Sequence, residues 1–185
     1  MLFRSLFLGA GEIFMRCPNL IIAHAVTTMN ALHYCYETTA NDETRRLLLL
    51  QGAAFLPLYR RIAKPADLRI DQLEPLALEK PGAQAVEEIF AEVGRDRMAA
   101  ARKMLAYLKE TAAAKPLIDA ARVLVFLKAN GDPHDYKFTS AVFEDYDHIS
   151  PPWRDRFLAT SPFYMHGSQT PDNPNVARTR AALKG

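Results

Sequence analysis

The chain has 185 residues, about half of them apolar and a quarter charged, with a net charge of +2. That length suits one domain with a core large enough to need no metal or disulfide staple. So small a charge, with the basic residues scattered, excludes a nucleic-acid surface, and "TRRLLLL" and "YRRIAK" read as solvated helix edges.

Cys17 and Cys35 are the only cysteines, and no CxxC spacing exists. A thiolate zinc site is thereby excluded, and a reducing, cytoplasmic compartment is the expectation. No apolar run reaches the roughly 18–20 residues of a membrane span. The stretch "SLFLGAGEIF" has the look of a leader core, but Glu12 interrupts it and no small-residue cleavage site follows. "GAGE" at residues 9–12 lacks the third glycine and the preceding strand of a dinucleotide fingerprint. The opening "MLFRS" reads like a translated sequencing adaptor, so the chain is expected to be a fragment that lacks an upstream half.

In chain order the pattern predicts helices throughout. "CPNLIIAHAVTTMNALHYCYETT" starts near Pro18, runs to about Thr39 and is apolar almost all round, which predicts a central, buried helix. "NDETRRLLLLQGAAFLPLYRRIA" follows as its hairpin partner, capped by Asn41 or Asp42 and kinked at Pro57. Three prolines make residues 64–84 an irregular connection. "AQAVEEIFAEVG", "RDRMAAARKMLAYLKETA" and "PLIDAARVLVFLKAN" carry apolar residues at three- and four-residue spacing, and Gly131 caps the last. Asp132 and Pro133 then restart a helix that ends at Pro151 and Pro152. Helices on "WRDRFLAT" and "VARTRAALK" complete the chain, around a loop to which no role is assigned. The reading is all-α: a single domain, residues 1–185, bundling about seven or eight helices.

His134 and Lys137 stand three apart, about 60° from each other round that helix. A plain structural reading makes Lys137 a snorkelling surface lysine and His134 a first-turn side chain. His24, in the most apolar helix, is by the same reasoning a core histidine bonded to a carbonyl, with Thr27 and Asn30 as further polar groups needing partners. His33 and Glu37, four apart, read as a simple surface pair, His148 as a helix-end histidine, and His166 as uninformative.

Two stretches together go further. "NLIIAHAVTTMNAL", with His24, Ala25, Thr27, Asn30 and Ala31, and "GDPHDYKFTSAVFE", with Gly131, Asp132, His134, Lys137 and Phe138, resemble two motifs of the questin oxidase-like family, in the family's order. The resemblance covers about residues 19–146 and corresponds to the C-terminal half of a full-length member. It implies an all-helical oxygenase that uses O2 to oxidise or cleave a polycyclic aromatic substrate of the anthraquinone type. It also implies a non-haem ferrous ion held by four histidines and a carboxylated lysine, with NADPH as the candidate electron donor. Carried over, His24 and His134 match two of the histidine ligands and Lys137 the modified lysine. The other two ligands are implied upstream of the His24 motif, and His33, His148 and His166 match neither.

Burial would favour the neutral amine that captures CO2, and the resulting carbamate is a hard oxygen ligand. The expectation is therefore that His24, His134 and Lys137 converge in one buried pocket. Two rivals remain: a metal-dependent HD-type hydrolase using His134 and Asp135, which expects Asp135 inside and Lys137 outside, and a helical scaffold with a dry core around His24. Catalytic side chains are not assigned.

Overall fold

The computed structural model describes residues 2–63, 67–129 and 131–184, and of the irregular connection expected at 64–84, residues 64–66 lie outside them. The described residues form helices α1 (Leu2–Arg16), α2 (Leu20–Thr38), α3 (Asp42–Ile62), α4 (Gly82–Glu92), α5 (Arg97–Thr111), α6 (Lys115–Lys128), α7 (Pro133–His148), α8 (Pro151–Leu158) and α9 (Pro174–Ala182). Short 3-10 turns at Ile70–Gln72 and Ser161–Phe163 complete them, and no strand occurs among the described residues. The all-α reading stands. No helix among these is long and apolar enough to cross a membrane.

Local chemistry sets the boundaries. Asn19 and Asn41 cap α2 and α3, their side chains accepting from the backbone N–H groups of Ile22 and Thr44. Asp96 caps α5 in the same way with two bonds, and Asp132 caps α7. Gly131 takes a φ of +84°, which lets the chain turn from α6 into Asp132 at no side-chain cost. α3 continues through Pro57, which is exposed.

The sequence reading omitted α1, which is an integral part of the core. Phe7, Ile13 and Phe14 are buried on its inner face, with the Phe14 ring 4.5 Å from Phe138 of α7 and Phe7 6.0 Å from Phe157 of α8. Glu12, which breaks the apolar run, pairs with Arg16 and accepts the backbone N–H of Ile70 at 3.0 Å. Gly11 allows α1 to approach α8: a Cβ there would lie 2.9 Å from the Thr160 methyl. That close approach is the structural use of "GAGE".

α2 packs against α1, α3 and α7. Its inward side buries Ile22, Ala23, Ala25, Val26 and Met29, while Leu20, Ile21, His24 and Tyr34 are exposed. The expectation of a fully buried helix is therefore wrong. Three neighbours cover part of the cylinder, and apolar side chains remain on the open side.

On the far side, α4 and α5 are joined by a buried ion triad. Lys103 Nζ lies 2.9 Å from Glu88 Oε1 and 2.8 Å from Glu92 Oε2, with the lysine side chain 9% exposed. Glu88 also accepts the backbone N–H groups of Glu79 and Lys80, tying the preceding connection to the same group. Removing the cation leaves two facing carboxylates with little water to screen them. Lys103→Met, which keeps the side chain's bulk, is expected to cost about 3 kcal/mol in urea unfolding. Unchanged stability would mean that the triad does not join these helices.

Candidate functional site

α7 begins with a carboxylate that serves twice. Asp132 Oδ1 accepts the His134 backbone N–H at 2.9 Å and meets His134 Nδ1 at 2.6 Å. Those bonds, the backbone one first, hold the Asp132 carboxyl below its ordinary range. In a neutral ring, an Nδ1–H given to this carboxylate leaves the Nε2 lone pair free, the arrangement that orients metal-binding histidines.

The His134 ring meets His24 of α2, centroids 5.3 Å apart and planes at 81°. Further along, Asn30 Nδ2 donates to Asp145 Oδ1 at 3.0 Å and to Glu144 Oε2 at 3.1 Å. At the ends of both helices, His33 meets His148 with centroids 4.5 Å apart. The pairings 24–134, 30–145 and 33–148 rise together in number, so α2 and α7 run in the same direction along one polar seam.

The structure thus brings His24 and His134 together but not in a buried pocket. His24 and Lys137 are exposed, and the His134 side chain is 27% exposed. Lys137 lies one turn beyond His134 on the strip of α7 that continues to Ala141, Glu144 and His148. The expected convergence in a buried pocket is corrected on this point: the α2–α7 edge faces outward, and among the described residues nothing gives Lys137 the burial that the carbamate argument required. His24 is likewise not a core histidine, nor is it set in a dry core, as the scaffold reading required.

Asp135, by contrast, is buried, and its Oδ2 lies 3.4 Å from His166 Nε2. Burial raises the Tyr164 hydroxyl above its ordinary range, with Asp132 and Asp135 adding to the effect. Its ring packs on Phe138 at 5.1 Å and on Phe14 at 5.8 Å, which puts this part of the aromatic C-terminal stretch in the core.

His33 is the residue that the sequence placed least well. It is buried, 9% exposed, with its ring edge-on to Phe3 and Phe7 at 4.9 and 5.2 Å, and is no surface residue. The i, i+4 spacing to Glu37 was visible in the sequence; the approach of His148, 115 residues away, was not.

At mid-seam Asp145 is fully buried, and its Oδ2 has no hydrogen-bond partner among the described residues. Burial pushes this carboxyl up to about 8, with Glu144 adding and the Asn30 bond opposing. Between about pH 4 and about pH 8 the folded chain therefore holds a proton that the unfolded chain has released, so this group's contribution to stability falls as pH rises. Asp145→Asn needs no such proton. Its melting temperature relative to the wild type is expected to climb from about pH 5 to about pH 8, and a pH-independent difference would contradict the assignment.

Comparison with protein-family models, with curated proteins and with solved structures finds no match to this chain.

Proposed function

We propose that this chain carries part of the iron centre of a questin oxidase-like oxygenase, an enzyme that uses O2 on a polycyclic aromatic substrate. His24 and His134 would hold the metal, and Lys137 is the candidate for the carboxylated ligand. The observation that carries the reading is the pair of imidazoles 5.3 Å apart, one of them oriented through Nδ1 by Asp132. Two imidazole nitrogens with an adjacent carboxylate suit a borderline divalent ion. Ferrous iron would supply the one-electron chemistry toward O2 that side chains lack.

The remaining donors must come from elsewhere. His33 and His148 pair at the opposite end of the seam and His166 meets Asp135, so on this reading an upstream segment brings the other two histidines. The same segment would cover the outward edge of α2 and α7 and give Lys137 the burial that carbamate formation requires. The chain's own contribution is to fix one imidazole by the Asp132 bond and to set the second beside it.

A second reading is favoured by the buried Asp135 and the exposed Lys137, the arrangement expected of a metal-dependent hydrolase. Its weakness is that Asp135 meets His166 whereas His134 meets Asp132 and His24, so the adjacent pair does not converge on one point.

Metal analysis of anaerobically purified full-length protein tests both. Iron content is expected to fall at least about tenfold in His24→Ala and His134→Ala, and also in Lys137→Ala. Equal iron in all three variants and the wild type would overturn the oxygenase reading. Loss on Asp135→Asn, with Lys137→Ala unaffected, would favour the hydrolase.

A further inference from the structure

The C-terminal end of the α2–α7 seam gathers three side chains of metal-ligating type, independent of the iron reading. Glu37 Oε1 lies 3.4 Å from His33 Nε2 and 3.5 Å from His148 Nδ1. The candidate donor atoms of the three residues all lie within 4.8 Å of one another. These spacings are informative. A direct N–H···O hydrogen bond closes to about 2.7–3.2 Å, as the 2.6 Å contact of His134 with Asp132 illustrates from the short side. Two donors each about 2.0–2.1 Å from a tetrahedral ion instead lie about 3.3–3.4 Å apart. One carboxylate oxygen standing 3.4 and 3.5 Å from two imidazole nitrogens is close to two edges of such a tetrahedron.

Three further features point the same way. His33 is buried with its ring edge-on to Phe3 and Phe7, so the core holds one donor of the cluster in place. α2 ends at Thr38 and α7 at His148, so the negative ends of two parallel helix dipoles meet here, where a cation is favoured. The side chains of Glu37 and His148 are 49% and 40% exposed, leaving one side of the cluster open to water.

We propose that His33, Glu37 and His148 bind a first-row divalent cation of the zinc class, with the fourth coordination position open to solvent or a small ligand. Two imidazoles and one carboxylate with an open position form the donor set of metal sites that activate water. Filling the site clamps the last turn of α2 to the last turn of α7.

The test is direct titration of tag-free, chelator-treated protein with Co2+, read by visible absorption, and with Zn2+, read by calorimetry and thermal shift. One equivalent is expected to bind at this site, beside any taken up at the His24–His134 pair, giving the intense visible bands of tetrahedral Co2+ and a raised melting temperature. Glu37→Gln and His148→Ala replace exposed side chains, so their folds are expected to be intact by circular dichroism, with affinity at least about tenfold weaker in each. His24→Ala is expected to keep the tetrahedral Co2+ bands of this site, which separates it from the one proposed for iron. Absence of uptake by the wild type would overturn the proposal. So would equal affinity in Glu37→Gln and His148→Ala, or loss of binding in His24→Ala alone.

Discussion

Between α2 and α7 the amide of Asn30 donates both its hydrogens, one to the buried carboxyl of Asp145 and one to Glu144 at the rim. Two helices that run in the same direction cannot be joined by a short turn, and here 94 residues of chain separate the end of α2 from the start of α7. Their register must come from contacts made across the seam. A partly buried amide–carboxyl pair does this well, because sliding it out of register leaves the buried Asp145 carboxyl without its partner. The register it fixes sets His24 against His134 at one end and His33 against His148 at the other.

The two ends of the seam differ electrostatically. Parallel helices gather their positive ends on one side and their negative ends on the other. At the His24–His134 end a cation is opposed by the amino-terminal dipole of α7, and the Asp132 carboxylate offsets that opposition. A cation bound there would gain from every further anionic donor. At the His33–His148 end the dipoles and Glu37 already favour a cation. One scaffold therefore offers two imidazole pairs with opposite demands on whatever completes them.

Much of this was legible before the structure. Periodicity located α2 to α9, and Asn41 and Asp132 were legible as caps because they bond within three residues of themselves; α2 was expected to start near Pro18, and Asn19 caps it instead. The motifs led to the expectation of His24, His134 and Lys137 in one buried pocket; the rings of His24 and His134 do meet, but at an outward edge with Lys137 exposed. What stayed hidden depended on long-range packing. α1 carries glycines and a glutamate that break its apolar run, and its role appears only when Gly11 meets Thr160 and Glu12 meets Ile70. The apolar surface of α2 suggested full burial, because a sequence shows what a helix could cover and not how many neighbours it has. Lys103 looked like any helix lysine until α4 set Glu88 and Glu92 around it. His33 looked like half of a surface pair until the phenylalanines of α1 closed over it.

The claim on which the rest stands is that Asn30 and Asp145 are direct partners holding α2 beside α7. A double-mutant cycle with Asn30→Ala and Asp145→Ala tests it, with unfolding free energies measured at about pH 6, where the Asp145 carboxyl is protonated. The account expects a coupling energy of about 1 kcal/mol or more between the two positions. Strictly additive effects would mean that the two side chains do not meet, and the shared register of both histidine pairs would go with them.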